Sequence, residues 1–290
     1  MRNMIGWIGI GILCTTSVSA QSYTEQLQQW HTQRIAAMKS PQGWLNLVGL
    51  LWLEEGVNHF GTAASNTCRF PKGTIAANAG RLIRKGMQVI QVASPGVSLY
   101  VDDVLKDSAL VFDGVSGESH ETIHGSLRWK IIRREDKLGV RLRDLNSAQL
   151  KNFKGIPRYT PDITYKVQAR LERPIVPQTI KITNVLGQTT ATPSPGKLFF
   201  ELKGRSFVFD TMEEEGKLFI VFGDLTSGKT TYPSGRFLYA AMPGEDGITT
   251  LDFNQSINPP CAFTPYATCP LPPRQNILPI AVRAGEQYRH

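Results

Sequence analysis

The sequence predicts a mainly β protein, built as two sandwich-like or barrel-like halves that follow a single helix. Three observations favour this class. The 290-residue chain contains 26 glycines and 18 prolines, which are typical of a chain with many turns. Short runs rich in Val, Ile, Thr and Phe recur along most of its length. Many of these runs alternate apolar and polar residues, which is the period of a strand with one buried face.

The first twenty residues have the organisation of a cleavable secretory signal peptide. Arg2 supplies a positive charge, the apolar run 4–13 follows, and Val18 and Ala20 place small side chains where a signal peptidase cleaves. Ten apolar residues are too few to span a bilayer, which takes about 20. We therefore predict a periplasmic or secreted protein without a transmembrane segment, whose mature chain begins near Gln21.

The mature chain opens with a predicted helix over residues 22–39, because Tyr23, Leu27 and Trp30 recur near helical spacing and Pro41 follows. The apolar segment 44–53 is predicted to anchor this helix to the body. After this segment, apolar and polar residues alternate with a period of two, which is typical of strands. The predicted strands of the first half are 58–62, 67–70, 81–84, 87–93, 97–101, 109–112, 126–133 and 138–143.

A second series of short strands follows the segment 144–163, which we predict as the boundary between the halves. These strands are 164–172, 178–185, 197–202, 206–210, 217–222, 236–241, 248–253 and 278–283. Regular spacing of short strands indicates a sandwich or barrel rather than a parallel sheet. The predicted parts are the signal peptide (1–20), the helix with the first β half (21–155), and a second β half with a Pro- and Cys-rich loop (156–290).

Positive charge is concentrated in one stretch of the chain. The net charge is +8, and residues 128–181 alone carry +9. Alternation predicts that Arg128, Lys130, Arg141 and Arg143 face outward from two strands. Such a basic face would favour anionic lipid or envelope polymers, so an envelope-associated structural protein is one hypothesis. Nucleic acid is not an expected partner, since no binding motif is present.

Cysteine usage fits an exported protein. Cys14 lies within the signal peptide, and Leu13 before it disfavours lipid attachment there. Cys261 and Cys269 are predicted to form a disulfide in an oxidising compartment, which would stabilise the fold by about 2.5 kcal/mol. Two free thiols are the alternative, and Cys68 is predicted to be a buried thiol.

Two motifs resemble catalytic or nucleotide-binding signatures but lack the local structure that such chemistry needs. Residues 223–230 fit a phosphate-binding loop, yet Pro233 and Gly235 follow where a helix must begin. Likewise, Ser194 and Lys197 have the spacing of a serine acyl enzyme, but Pro-Gly between them predicts a turn. No cofactor is predicted.

A third motif, His120-Glu-Thr-Ile-His124, has the letters of a zinc-protease signature. Gly117 and Gly125 bracket it, so a helix here has at most two turns. An extended segment would leave the two histidines too far apart to chelate one ion readily. His120 and His124 are therefore only weak candidates for a metal site.

Polar side chains concentrate in the last third of the chain, which is the predicted functional region. We predict a pocket in which Arg236 binds a carboxylate or another small anion. The predicted ligand-binding residues are Tyr232, Arg236, Asn254, Asn258 and Asn276. The alternative for the asparagines is local bonding to the backbone. A hydrolase that uses Asp224, Asp252 or Glu286 as acid or base is the rival hypothesis.

The same region carries a resemblance to a known family. The strings are FGDLTSGKTTYPSGRFL from Phe222, LDFN from Leu251, NPPC from Asn258, and CPLPP from Cys269 onward to AGE at Glu286, with GWL from Gly43 and LWLEEG from Leu51 near the start. These strings resemble the bacterial family called domain of unknown function 1684. The resemblance implies a signature around Asp224, Tyr232, Arg236, Asn254 and the cysteine tract, and it implies no established activity.

Overall fold

The computed structural model describes residues 22–289, so the predicted signal peptide lies outside the described residues. The helices are α1 (Tyr23–Lys39) and α2 (Ala148–Asn152), and short 3-10 helices occupy Trp44–Asn46, Ile163–Tyr165, Phe253–Gln255, Pro260–Ala262 and Arg274–Asn276. The strands are β1 (Leu47–Trp52), β2 (Gly56–Gly61), β3 (Cys68–Arg69), β4 (Gly80–Lys85), β5 (Gln88–Ala93), β6 (Tyr100–Val101), β7 (Val104–Leu105), β8 (Ser108–Asp113), β9 (Glu118–Ser119), β10 (Thr122–His124), β11 (Leu127–Arg134), β12 (Lys137–Asp144), β13 (Lys166–Glu172), β14 (Gln178–Thr183), β15 (Thr189–Ser194), β16 (Lys197–Leu202), β17 (Arg205–Asp210), β18 (Met212–Glu214), β19 (Lys217–Phe222), β20 (Arg236–Ala241) and β21 (Ile248–Asp252).

The first twelve strands form two six-stranded sheets that share one core. Their strand orders are β1-β12-β11-β10-β6-β7 and β3-β2-β4-β5-β8-β9. Phe60 and Phe70 from one sheet pack against Trp129 from the other, with ring centroids 5.8 and 5.3 Å from that of Trp129. Alternating residues of β11 and β12 point into this core, so the period of two places Trp129 and Val140 there.

The later strands build a second core. The four-stranded sheet β17-β16-β13-β21 and the three-stranded sheet β18-β19-β20 enclose a cluster of phenylalanines. Within it, Phe209 and Phe253 each pack against Phe222, with centroids 5.9 and 5.5 Å apart. Strands β14 and β15 pair only with each other as a separate hairpin.

Helix α1 ties the start of the chain to this second half. Ser22 caps the helix and exchanges hydrogen bonds with Glu25, which is the reciprocal arrangement of a capping box. The Tyr23 hydroxyl donates to Asp252, at 2.8 Å from Oδ1. Leu27 and Met38 are its buried apolar side chains. The helix is therefore held by polar contacts as well as by packing.

The predicted fold class is confirmed: the protein is mainly β, in two halves, with one long N-terminal helix. The predicted helix 22–39 is observed as Tyr23–Lys39, which is one residue shorter at its N-terminal end. The segment 44–53, predicted as an apolar anchor, supplies strand β1. The predicted strand 278–283 is wrong: the segment is irregular because Pro279 has no N–H to donate, and the Val282 carbonyl accepts from the Arg236 side chain.

The outward face of β11 and β12 is not a free surface, which corrects part of the predicted basic face. Arg143 is only 9% exposed, and its guanidinium donates to the Gln42 carbonyl at 3.2 Å. Thr264, from the proline-rich tract, donates to the Leu47 carbonyl of the neighbouring strand at 3.0 Å. The tract thus covers the face that the first half alone would expose. Among residues 22–289, no helix is both long enough and apolar enough to cross a membrane.

Candidate functional site

Arg236, the centre of the predicted pocket, is a buried side chain with its own protein partners. It is 1% exposed, and its NH2 group lies 2.7 Å from Oδ2 of Asp224. The same side chain donates to the carbonyls of Val282 and Ala284. Its guanidinium carbon also lies 5.1 Å from the Phe222 ring centroid. These contacts engage both terminal nitrogens, while Nε is buried without a partner among the described residues, and through them Arg236 joins residues 282–284 to β20.

The candidate acid–base residues are likewise engaged. Asp224 accepts a hydrogen bond from the Arg236 guanidinium, and Asp252 accepts one from the Tyr23 hydroxyl. Glu286 is 1% exposed and accepts from Arg34 at 3.2 Å and from the Asn258 N–H at 2.6 Å. Burial raises the pKa of Glu286, and the nearby Arg34 cation opposes that rise. None of the three carboxylates lines any of the four cavities described here.

The predicted asparagine and tyrosine ligands mostly bond the backbone. Asn276 bonds both the N–H and the carbonyl of Asp210, and the Asn254 side chain bonds the backbone of Asp162. Tyr232 donates to the Cys261 carbonyl at 3.2 Å. The alternative of bonding to the backbone therefore describes Asn254 and Asn276, but the bonded segments are distant in sequence rather than local. Asn258 differs, because it lines a cavity.

The two histidines that were weak candidates for a metal site each contact a different neighbour. His120 lies 2.5 Å from Asp102, whereas His124 bonds the Ser98 carbonyl, so the two histidines have separate partners. No cluster of three potential metal-binding side chains occurs within the described part of the chain.

The predicted disulfide is absent from the structure, which shows two free thiols in contact. The Cys261 N–H donates to the Cys269 sulfur at 3.1 Å, while the Cys261 thiol donates to the Ala267 carbonyl at 3.4 Å. Cys68 is a buried free thiol.

A cleft of about 490 Å³ lies between the two halves. One wall comes from the covered face of β11 and β12, with Trp44 beside it. The opposite wall comes from β18, β19 and β20, and the proline-rich tract closes one side. The lining residues are Arg34, Trp44, Arg134, Arg141, Glu214, Glu215, Lys217, Phe219, Phe237, Tyr239, Ile257, Pro260, Ala267, Thr268, Cys269 and Pro270.

Arg141 is one of three cleft cations, with Arg134 and Lys217, that have no carboxylate partner among the described residues. Its Nε atom is buried without a hydrogen bond, as are those of Arg143 and Arg236, and its guanidinium lies 5.6 Å from the Trp44 ring centroid. Burial and, to a smaller extent, the Arg134 and Arg143 cations together lower the pKa of Arg141 to about 10. Arg141 still carries a full charge at neutral pH, and no carboxylate among residues 22–289 lies within ion-pair distance of it.

The other wall of the cleft is aromatic. Phe219 and Tyr239 stack with centroids 5.0 Å apart and an interplanar angle of 18°, and Phe237 meets Phe219 edge-on at 4.9 Å. The Tyr239 hydroxyl donates to Glu214 at 2.5 Å. Burial and this carboxylate both raise the pKa of Tyr239. Glu214 is thereby engaged by the tyrosine rather than by Arg141.

Fold and cleft together define a mainly β protein with a basic, aromatic cleft between two halves. Residues 151–287 match the family model described as "Protein of unknown function (DUF1684)", and the chain belongs to this family through that region. The resembling strings at Gly43 and Leu51 lie outside the matched residues. No curated protein matches the sequence significantly. The solution NMR structure of an uncharacterized protein from Haloarcula marismortui is 32% identical over 48% of this chain and 79% of that chain, with a TM-score of 0.40.

Proposed function

We propose that this protein binds a small anion with an apolar or aromatic body, and that the ligand lies in the cleft between the halves. Arg141 is the anion's principal partner. The observation that carries the proposal is its half-buried guanidinium, which no carboxylate among residues 22–289 neutralises. A buried charge without a partner is costly, so a ligand that pairs with it gains free energy.

The other charges of the cleft support an anionic ligand. Arg134 donates to the uncharged hydroxyl of Thr268 at 3.1 Å and forms no ion pair among the described residues. Lys217 lies on the facing wall and forms no ion pair among the described residues. The lining as a whole carries four cations (Arg34, Arg134, Arg141 and Lys217) against two carboxylates (Glu214 and Glu215), and this excess of positive charge favours an anion.

The aromatic residues favour a ligand that also has an apolar body. Trp44 on one wall and the stacked pair Phe219–Tyr239 on the other leave a space of about 490 Å³, which lies in the usual range for small-molecule sites. An inorganic anion alone would leave these rings in contact with water. The ligand class is therefore an aromatic or alkyl carboxylate or phosphate ester.

Isothermal titration with phenyl phosphate tests the proposal, with inorganic phosphate and phenol as partial ligands. We expect phenyl phosphate to bind more tightly than either part, with affinity that falls as salt is added. Arg141→Met keeps the apolar stem and removes the charge, and it should weaken binding by tenfold or more, as a hydrogen bond to a charged group of about 1.5–3 kcal/mol implies.

The matched control is Arg81→Met, because Arg81 is an exposed strand arginine that lies outside the cleft. This variant should bind phenyl phosphate like the unmodified protein. Equal binding by the Arg141→Met protein, or no binding of phenyl phosphate at millimolar concentration, would reject the proposal.

We also propose that the protein works after export to the periplasm, on the strength of residues 1–20. N-terminal sequencing of protein from the periplasmic fraction should give Gln21 as the first residue. Protein that stays in the cytoplasm with Met1 in place would contradict export.

A further inference from the structure

We infer that the ligand of the cleft is an elongated amphiphile, whose uncharged apolar tail extends along β20 into a second cavity beside helix α1. The inference rests on the proposed function, since the anionic end of the same molecule binds in the cleft. The second cavity is about 470 Å³ in volume. Four residues line both spaces: Arg34, Lys217, Tyr239 and Ile257. The second cavity therefore adjoins the cleft.

The strand register places the aromatic wall of the cleft and the wall of the second cavity on one face of the same sheet. In the pairing of β19 with β20, Phe219 lies opposite Tyr239 and Lys217 lies opposite Ala241. Ala240, between them on β20, packs into the core on the other face. Ala241 thus follows Tyr239 on the cleft face, about 7 Å further along the strand. A ligand that lies against the Tyr239 ring can reach the second cavity by following β20.

The second cavity is lined mainly by apolar and aromatic side chains. Ala37 of α1 and Ala241 of β20 contribute only a methyl group each, and both are exposed to solvent. Trp30 of α1 adds a half-buried indole ring, and Ile257 lies where the cavity meets the cleft. An apolar group placed against these side chains would lose contact with water, which favours its binding.

The charges of the second cavity favour an uncharged tail over a second anionic group. The residues that line this cavity and not the cleft all have uncharged side chains: Trp30, Gln33, Ala37, Ala240, Ala241 and Gln255. Its two cations, Arg34 and Lys217, belong to the lining of the cleft as well, and Arg34 already pairs with Glu286 at 3.2 Å. Positive charge is therefore concentrated at the end of the ligand that lies in the cleft.

Isothermal titration with phenyl phosphate, 4-ethylphenyl phosphate and 4-hexylphenyl phosphate tests the inference. Affinity should rise by up to about fourfold for each methylene that becomes buried, so the hexyl compound should bind about tenfold or more tighter than phenyl phosphate. A hexyl chain that ends in a carboxylate should lose most of this gain, because the far part of the cavity offers no cation of its own.

Two variants fill the second cavity from opposite walls without changing a residue that lines the cleft. They are Ala37→Phe and Ala241→Phe. Each should remove most of the affinity gained from the hexyl chain while phenyl phosphate binds as before. The matched control is Ala36→Phe, because Ala36 is exposed on the same helix and lines neither space. This control should bind all the compounds like the unmodified protein.

The outcomes separate this inference from the proposed function. If phenyl phosphate binds but the hexyl chain adds no affinity, the inference is overturned and the anion site remains. An unchanged gain in both cavity variants, or tighter binding of the compound with the terminal carboxylate, would also overturn it. If phenyl phosphate itself does not bind, the proposed function fails and the inference fails with it.

Discussion

Arg236 and Arg141 are both strand arginines, yet their surroundings give them different roles. Arg236 meets Asp224 at 2.7 Å and two backbone carbonyls, so its charge is balanced inside the fold. Arg141, like Arg236, has an aromatic ring beside it, but it has no carboxylate partner among residues 22–289. A balanced arginine stabilises the structure, whereas an unbalanced one is available to a ligand.

Removal of the Arg236 charge should destabilise the protein strongly. Arg236→Met leaves the Asp224 carboxylate buried without its cation, which costs about 3–5 kcal/mol. Urea unfolding followed by circular dichroism measures this loss. The control is Lys197→Met, which breaks the more exposed pair with Asp210 and should cost at most about 1 kcal/mol. Similar costs for the two variants would contradict the structural role of Arg236.

His31 should make the protein less stable in acid. Its folded-state pKa lies below the ordinary value of 6.5, so folding favours the neutral ring. The stability linked to His31 is therefore present above that ordinary pKa and is lost as pH falls through the lower folded value. The free energy of unfolding, measured between pH 7 and pH 5, should fall less in His31→Phe than in the unmodified protein. An unchanged slope would contradict the buried, neutral His31.

For single residues, the sequence predicts which side chains matter better than it predicts which groups those side chains contact. Asp224 and Arg236 stand out as polar residues near strand ends, but only the fold shows that they pair with each other. Arg141 looks like one of several outward-facing cations, because alternation cannot show that a distant tract covers its strand. A signal was present in the excess charge of residues 128–181, for which the local sequence offers few acids.

At the scale of elements, the turn before β20 fixes where Arg236 lies. Gly235 has φ +87, and a Cβ atom there would stand 2.5 Å from the Phe222 carbonyl oxygen. Gly204, in the turn between β16 and β17, has a similar φ of +72, but a Cβ there would meet nothing within 4 Å. Both glycines have a positive φ, but only Gly235 lies so close to another backbone atom that a Cβ would overlap with it.

Alanine at these two glycines should therefore have unequal effects. Gly204→Ala should cost about 1–2 kcal/mol, because an L-residue is strained in that conformation. Gly235→Ala should cost a further 1–3 kcal/mol or so for the overlap with Phe222. Thermal unfolding of the two variants compares them directly. Equal shifts in Tm would show that the contact at Gly235 relaxes without cost.

Most elements follow from the period of the sequence, and the exceptions have physical causes. Strand β15 (Thr189–Ser194) is not predicted, because its polar, proline-containing sequence has no buried face. The segment 278–283 has strand-like apolar residues, but its Val282 carbonyl accepts from Arg236 and its Ile280 carbonyl accepts from the N–H of Leu225 in a turn. Period-based reasoning detects buried faces and cannot show which group satisfies a backbone carbonyl.

At the scale of the whole molecule, the halves are joined in both directions. Helix α1 from the first predicted part bonds the second through Tyr23–Asp252 and Arg34–Glu286. The proline-rich tract of the second part returns to cover β1 and β12 of the first. The predicted boundary near residue 155 therefore separates sequence segments that share contacts along their length.

These shared contacts predict a single unfolding transition. All the tryptophans after the predicted signal peptide lie before residue 156, so tryptophan fluorescence reports on the first part, whereas far-ultraviolet circular dichroism reports on both. The two signals should change at the same urea concentration. Separate midpoints would show that the halves unfold independently and that the cleft between them is a loose interface.

The central claim is that the cleft between the halves holds an anion on Arg141. A crystal structure of the protein with 4-bromophenyl phosphate tests it most directly, because anomalous scattering locates the bromine. The account predicts a phosphate oxygen within about 3 Å of the Arg141 guanidinium, with the bromophenyl ring between Trp44 and Tyr239. A ligand found elsewhere, or an empty cleft at saturating concentration, would contradict it.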